Sequence, residues 1–354
     1  MTRCPHSRPQ PDCLGEYHGD DCVLDAGGGR CCCFLHHCFI RLFLIPALHR
    51  LHFGQTIRES GPTWHSKKQG TPTMGGFCFI LGILLSAGLM YAGLQRYSPG
   101  LLTPQQTQSG LLVLFLAFGS GFIGFLDDFA KVVRHRNLGL YAWQKLILQF
   151  LVTGCFMAGL YSLGLCSTTI MLPFFGAVNL GLAYYPIAFF GIIFLVNAVN
   201  LTDGLDGLCS CVTFVSMLGY LLAASMLGHY QVAVLSTATA AACAGFLVWN
   251  FYPAKVFMGD TGSMFLGGMV TALAFVMGWP ELVLFFGIVY IWDAMTVVIQ
   301  RLYFKATHGK RIFRMTPIHH AFEMRGWKEA RIDAFFSLIA LIGVALGLLY
   351  IYYA

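Results

Sequence analysis

Pairs and small groups of acidic side chains interrupt the apolar stretches of this chain, and the first of them is Asp127–Asp128 in the segment GFIGFLDDFAKV. Adjacent carboxylates at the end of an apolar helix repel each other unless a cation lies nearby. That cation could be Lys131, four residues after Asp127. Two acids side by side nevertheless favour a divalent metal ion.

A second acidic segment, NAVNLTDGLDGLC at residues 197–209, lies between two apolar stretches. Its Gly204 and Gly207 would let the backbone approach a ligand closely. Asn and Asp are also common helix N-caps, but four of them beside two glycines favour an anion and metal site. These four are Asn197, Asn200, Asp203 and Asp206.

A third segment, WNFYPAKVFMGDTGSMFLGG at residues 249–268, places Asp260 just before an apolar helix. The free amides and the positive end of that helix would favour a phosphate group. Lys255 adds a cation and Phe257 an aromatic face. Mg²⁺ prefers oxygen ligands, usually one or two carboxylates together with substrate phosphates. The three acidic segments therefore predict a magnesium site that binds a phosphorylated substrate.

Two basic segments supply further polar groups. GKRIFRMTPIHHAFEMRGW, residues 309–327, contains His319 and His320. Paired histidines could bind a transition metal, but with no cysteine or third ligand close by, hydrogen bonding to a diphosphate is the better interpretation. GPTWHSKKQGTPTMGG, residues 61–76, is either an ordinary basic flanking loop or a source of donors for an anionic substrate. The donors are Lys67, Lys68, Thr71 and Thr73.

The composition predicts the scaffold that must position these residues. Apolar residues make up 57% of the chain and charged residues 11%, whereas soluble domains are about 25% charged. A bilayer is crossed by roughly 20 apolar residues in a helix, and the alternation typical of membrane barrels is missing. We therefore predict an all-α polytopic membrane protein. Its ten expected spans are 31–48, 74–94, 110–126, 143–165, 182–199, 208–227, 229–249, 262–279, 281–300 and 333–353.

Lysine and arginine predict the orientation of these spans. They concentrate in the loops 50–73, 129–145 and 301–331, whereas the alternate loops carry only Arg96. Basic loops face the cytoplasm, so an even number of spans places both termini outside. The acids would lie at the cytoplasmic ends of the helices. Metal, phosphate and apolar walls together imply that one reactant is a lipid.

The first 38 residues are unusual, because they contain seven of the 13 cysteines. They could form a disulfide-bonded or metal-binding cap. We predict instead that residues 1–30 are an atypical, disordered extension. Residues 31–354 are expected to form one integral-membrane domain with cytoplasmic active-site loops.

Five motifs, in this order, resemble the bacterial phospho-N-acetylmuramoyl-pentapeptide transferases of the polyprenyl-phosphate N-acetylhexosamine-1-phosphate transferase superfamily. They are GTPTMGG, FLDDFAKV, NAVNLTDGLDGL, PAKVFMGDTGS and FRMTPIHH, and the resemblance runs from about Phe53 to the C-terminus. It implies ten helices in the bacterial inner membrane, periplasmic termini and a site facing the cytoplasm. It also implies Mg²⁺-dependent transfer of phospho-MurNAc-pentapeptide from UDP to undecaprenyl phosphate, giving lipid I and UMP. Members are often homodimers.

The resemblance also implies roles for individual residues. Asp127, Asp128 and Asp260 would be the central acids and metal ligands, with Asp127 as a base towards the lipid phosphate. The catalytic set would include His319, with His320 near the diphosphate or sugar. The substrate-binding set would be Lys68, Thr73, Lys131, Lys145, Asn200, Asp203, Asp206, Asn250 and Phe257. The chain departs from the family pattern at Ala321, where a third histidine is usual, and in its polar first span.

Two other functions compete with this interpretation. A sister enzyme that transfers GlcNAc-1-phosphate to a polyprenyl phosphate would share the aspartates but differ around residues 304–331. An ion-coupled transporter would place acids near the middle of the bilayer and show an inverted repeat. The helix-end position of the acids argues against the transporter.

Overall fold

The structure is a computed structural model that describes residues 71–133, 139–172 and 176–354. The predicted extension at 1–30, the span at 31–48 and Lys68 lie outside the described residues. The described helices, in chain order, are α1 (Gly76–Tyr97), α2 (Pro104–Val133), α3 (Ala142–Ser162), α4 (Tyr184–Thr202), α5 (Leu208–Leu227), α6 (Tyr230–Asn250), α7 (Gly259–Val276), α8 (Leu282–Phe286), α9 (Ile288–Ala306), α10 (Ile318–Glu323) and α11 (Glu329–Tyr353).

Eight of these helices, α1 to α7 and α11, are long and apolar enough to cross a membrane. The prediction of a helical polytopic membrane protein is thereby confirmed. The span predicted at 281–300 is interrupted instead, because α8 ends at Phe286 and α9 begins at Ile288. The total of ten spans and the orientation of the termini stay predictions.

A short antiparallel hairpin, which was not predicted from the sequence, joins α3 to α4. Strand β1 (Thr169–Leu172) pairs with β2 (Gly176–Asn179), with Thr169 opposite Asn179. The backbone amide of Met171 donates to Glu281 Oε1 over 3.3 Å. The hairpin is thereby tied to the segment that follows α7.

Helix α7 forms the centre of the bundle. Every residue from Thr261 to Val276 is buried, as expected for a helix that is apolar on all sides. Helices α1, α2, α4, α5, α6 and α8 pack against it, and α3 reaches its first turn through Lys145. This central position fixes Asp260, in the first turn of α7, among the ends of its neighbours.

Glycines allow α2 to approach α7 closely. A Cβ built on Gly268 would lie 2.7 Å from the Cα of Ala117, and one on Gly124 would lie 2.1 Å from the carbonyl oxygen of Asp260. Small residues permit such contacts between membrane helices. Because Asp127 and Asp128 follow Gly124 by three and four residues, they emerge on the same face of α2. The contact therefore brings both acids to the start of α7.

We expect Gly124→Ala to destabilise the protein, because its new methyl group would meet the backbone of Asp260 rather than a flexible side chain. Overpacking of this kind costs about 1–3 kcal/mol. The measurement is the apparent Tm in detergent, with UMP release as a second readout. Gly88→Ala in α1 is the matched control, since nothing lies within 4 Å of its Cβ position. Equal apparent Tm values for the two variants would contradict the packing argument.

Candidate active site

Three carboxylates meet where α2 ends and α7 begins. Asp127, Asp128 and Asp260 each offer an oxygen, and these atoms all lie within 4.8 Å of one another. Asp127 is 6% exposed and Asp128 3% exposed, whereas the Asp260 side chain is 24% exposed. We call these three residues the carboxylate cluster. It combines two buried acids with one that a ligand can reach.

The ammonium group of Lys131 lies among the three carboxylates. Its Nζ is 2.7 Å from Asp127 Oδ2, 3.3 Å from Asp128 Oδ1 and 3.0 Å from Asp260 Oδ2. Lys145 Nζ approaches the same oxygen of Asp260 at 3.5 Å. The ion pair that the sequence suggested as an alternative to a metal is therefore formed. The Lys131 ammonium group therefore lies at the position between the three carboxylates that a divalent cation would occupy.

The second oxygen of each carboxylate is held by the protein. Asp127 Oδ1 accepts the backbone amide of Leu140 at 2.9 Å. Asp128 Oδ2 accepts both the amide and the hydroxyl of Thr261, each at 2.9 Å. Asp260 Oδ1 accepts Asn200 Nδ2 at 3.0 Å. Three oxygens, one from each residue, are thus left pointing at a common cation.

This donor set fits Mg²⁺. The three inward oxygens belong to carboxylates, which are the hard ligands that Mg²⁺ takes together with water and substrate phosphates. Their hydrogen-bond partners fix their direction before any ion arrives. A bound ion would have to displace the ammonium group of Lys131, which could then turn towards a substrate phosphate.

The loop between α4 and α5, residues 203–207, lies beside the cluster. Asp206 is 2% exposed, and its Oδ2 accepts the backbone amide of Ala254 at 2.9 Å. Asn250, also 2% exposed, donates from Nδ2 to the carbonyl of Val256 at 3.0 Å. Asp206 therefore ties the segment 251–258, which carries Phe257, to the loop, and Asn250 ties the same segment to the end of α6.

Thr73 and Phe257 come together at the start of α7. The Phe257 amide donates to the carbonyl of Pro72, and the Gly75 amide donates to the carbonyl of Phe257, both over 2.8 Å. A Cβ on Gly259 would lie 2.9 Å from the Thr73 hydroxyl oxygen. The structure therefore places Thr73 next to the helix start that the sequence predicted as a phosphate site.

The two histidines have different surroundings. His319 is completely buried, and its Nδ1 lies 2.7 Å from Asp293 Oδ2. The side chain of His320 is 14% exposed, and its Nδ1 lies 2.7 Å from Glu323 Oε2. Ala321, at the position of the usual third histidine, is 6% exposed. Only His320 of the predicted pair therefore reaches the surface.

The chain is similar in sequence to known transferases. The model of glycosyl transferase family 4 matches residues 110–278. A phospho-N-acetylmuramoyl-pentapeptide-transferase of Clostridioides difficile (strain 630) is 44% identical over 311 residues, covering 87% of this chain and 92% of the relative. One of Clostridium botulinum (strain Eklund 17B / Type B) is 42% identical over 304 residues, covering 86% and 89%.

The chain belongs to the phospho-N-acetylmuramoyl-pentapeptide-transferase family. The resemblance inferred from the motifs and the expectation of an enzyme are confirmed. The match to glycosyl transferase family 4 runs from Gly110 to Gly278, so it contains the whole carboxylate cluster. The matched range therefore includes the carboxylate cluster and its two lysines, whereas Thr73, His319 and His320 lie outside it.

Two residues that hold side chains of this transferase-family site were not predicted from the sequence: Thr261, which binds Asp128, and Asp293, which binds His319. Thr261 follows Asp260 directly, and its position in the GDTGS segment was the available signal. The expectation that all membrane acids lie at cytoplasmic helix ends was wrong, because Asp293 lies within α9 and is completely buried. A charge inside an apolar span was the signal that should have identified Asp293.

We expect Asp203→Asn to stabilise the metal-free protein at high pH. Burial, together with the negative charges of Asp260, Asp128 and Asp206, raises the pKa of Asp203 well above its usual value. The ionised wild-type carboxylate therefore costs stability, and this cost appears as pH rises through the raised pKa. Apparent Tm in EDTA should be higher for the variant at high pH and equal at low pH. A lower Tm for the variant at high pH would refute this expectation.

Proposed function

We propose that this transferase moves phospho-MurNAc-pentapeptide from its UDP carrier to undecaprenyl phosphate, giving lipid I and UMP. The observation that carries the proposal is the set of three inward carboxylate oxygens with two lysines beside them. The carboxylates can hold a metal ion and the lysines can bind negative charge, which suits a reaction between two phosphates better than one between neutral groups. The names of the relatives favour the muramoyl substrate over the GlcNAc substrate of the sister enzymes.

Mg²⁺ is the proposed cofactor, and Asp127, Asp128 and Asp260 would hold it. When bound, it would neutralise negative charge on the donor diphosphate and align the reacting phosphates. Asp260 is the most accessible of the three carboxylates. We therefore assign to it the closest contact with both metal and substrate.

The reaction is a displacement at phosphorus. An oxygen of the lipid phosphate attacks the sugar-bearing phosphorus of the donor, and the bond from that phosphorus to the UMP oxygen breaks. A phosphate monoester is already a nucleophile near neutral pH, so alignment contributes more than proton removal. Lys131 and Lys145 supply positive charge for the phosphates. Asp127 acts as a base or, by its charge, orients the attacking oxygen.

The nucleotide is proposed to bind on the side of the loop 203–207. Asn200 and Asp203 border the cluster there, and Asp206 with Asn250 holds the segment that carries Phe257. Phe257 offers an aromatic face to the uracil, and Thr73 a hydroxyl to a phosphate. His320 is assigned to the diphosphate or sugar, and Lys68 to a phosphate. His319 is buried, and its ring packs against Gly204 in the loop 203–207.

The protein is proposed to lie in the bacterial cytoplasmic membrane with this site facing the cytoplasm. Lys131 and Lys145 lie at the cluster, and further basic residues end α9 and fill the loop 307–317. The positive-inside rule predicts that these segments face the cytoplasm. UDP-linked substrates are available on that side. A homodimer is the proposed assembly.

Competition between a labelled and an unlabelled donor tests the proposed specificity. Purified protein in detergent would receive Mg²⁺, undecaprenyl phosphate, labelled UDP-MurNAc-pentapeptide and an equal concentration of unlabelled UDP-GlcNAc. We expect labelled lipid to form at an undiminished rate. Inhibition by UDP-GlcNAc, together with transfer of its own labelled sugar phosphate in the reverse arrangement, would contradict the proposal.

A further inference from the structure

Asp293 is a carboxylate inside an apolar helix, away from the carboxylate cluster. It lies in α9 and is 0% exposed, as is His319 in α10. Its Oδ2 is 2.7 Å from His319 Nδ1, and its Oδ1 accepts the backbone amide of His319 at 3.4 Å. One carboxylate therefore holds both the ring and the backbone of His319. A buried acid in a membrane protein is costly unless it is paired in this way.

The other ring nitrogen of His319 faces the nucleotide loop. A Cβ built on Gly204 would lie 2.3 Å from His319 Nε2. The imidazole thus fills the space that a side chain at position 204 would need. Gly204, which lies between Asp203 and Asp206 in the loop 203–207, is thus in direct contact with this ring. Gly204 is required here by close packing rather than by its backbone angle.

The pairing with Asp293 also decides what Nε2 can do. A carboxylate accepts a hydrogen from Nδ1, so the neutral ring presents Nε2 as a hydrogen-bond acceptor. Within the described residues Nε2 is buried and has no hydrogen-bond partner. A buried polar atom without a partner is costly, and native proteins keep few of them without a functional reason. The unpaired Nε2 is therefore consistent with a ring whose role is to support the loop 203–207.

We propose that Asp293 is a positioning residue for nucleotide binding. It fixes the His319 ring beneath Gly204, and the ring in turn sets the position of the loop 203–207. The inference rests on the proposed function, which places the nucleotide at this loop. It adds a residue that contacts no substrate and acts only through His319.

Asp293→Asn tests this role, because it keeps the shape of the side chain and removes its charge. We expect the affinity for UMP, measured by isothermal titration calorimetry, to fall about 10- to 100-fold, the range seen when the residues that orient metal-binding side chains are replaced. The KM for the UDP donor should rise by a similar factor. The KM for undecaprenyl phosphate should not change, which distinguishes positioning of the loop from general damage.

A double-mutant cycle tests whether Asp293 acts through His319. In a His319→Gln background, Asp293→Asn should cause no further loss of UMP affinity, because coupled residues are not additive. Tyr290→Phe is the matched control. Tyr290 lies one turn earlier in α9, is equally buried, and bonds to Thr213 rather than to His319. We expect this variant to bind UMP as the wild type does.

Several outcomes would overturn the inference. They are wild-type UMP affinity in Asp293→Asn, independent effects of the two substitutions, or equal changes in both KM values. Should Asp293→Asn not fold, Gly204→Ala displaces the ring from the opposite side, and its failure to weaken UMP binding would overturn the inference equally. If the wild type does not bind UMP, or Asp203→Asn leaves UMP affinity unchanged, the proposed function fails instead.

Discussion

Asp260→Asn is expected to reduce turnover about 10³-fold or more. Asp260 is the most exposed carboxylate of the cluster and contacts both lysines. Metal binding supplies several kcal/mol of charge stabilisation to a phosphoryl transfer, and each 1.4 kcal/mol corresponds to a tenfold change in rate. Asparagine retains an oxygen that can accept the hydrogen bond from Asn200. The loss should therefore come from charge and metal affinity, and the fold should survive.

The measurement is the Mg²⁺ dependence of UMP release by the variant and the wild type. The variant should show a lower kcat and need more Mg²⁺ for half-maximal rate. Glu281→Gln is the matched control, since Glu281 is also a buried acid, 6% exposed. It lies beyond the far end of α7, a helix of 18 residues that is roughly 27 Å long at 1.5 Å per residue. Equal losses of turnover in the two variants would show that removing any buried acid lowers the rate, and would contradict a specific role for Asp260.

Asp127→Asn is expected to slow turnover about 10²- to 10⁴-fold, the usual contribution of a positioned acid or base. Its Oδ2 makes the 2.7 Å contact with Lys131, while its Oδ1 accepts the Leu140 amide. Asparagine can still accept the Leu140 amide, but it loses the charge that pairs with Lys131. Because the nucleotide is proposed to bind at the loop 203–207, UMP affinity should stay within about twofold of the wild type. Stopped-assay kcat values and calorimetric UMP titrations measure the two effects separately.

Asp127 could act on the lipid phosphate as a base, or it could itself attack phosphorus as a nucleophile. We predict the first, with direct attack by the lipid phosphate. In the direct reaction, no bond forms between the protein and phosphorus. Rapid quenching of wild-type enzyme with a donor labelled in the transferred phosphate should leave the protein unlabelled. A trapped phospho-enzyme that is lost in Asp127→Asn would contradict direct attack and require a covalent intermediate.

The sequence was sufficient to predict the acidic motifs and the membrane fold. Adjacent acids at a helix end and an acid before a glycine-rich helix start carry local signals, so Asp127, Asp128 and Asp260 could be found without a structure. Apolar run lengths predicted the described spans within several residues. The end of α2 was underestimated, because Asp127, Asp128 and Lys131 are polar yet helical to Val133.

The remaining features depend on contacts between distant parts of the chain. No local pattern indicates that Lys131 would reach three carboxylates, since Asp260 is 129 residues away in sequence. The pairing of Asp293 with His319 likewise joins α9 to α10. The hairpin of β1 and β2 is too short to give a clear alternating pattern. Gly287 lies in an otherwise continuous apolar run, so the break between α8 and α9 has only one glycine as its signal.

Release of UMP by purified protein in detergent tests the central claim most directly. The reaction would contain UDP-MurNAc-pentapeptide, undecaprenyl phosphate and Mg²⁺, with each of the three omitted in turn. We predict that UMP appears only in the complete mixture, that EDTA stops its release and that added Mg²⁺ restores it. UMP released at the same rate without undecaprenyl phosphate, or in EDTA, would contradict a metal-dependent transfer at the carboxylate cluster.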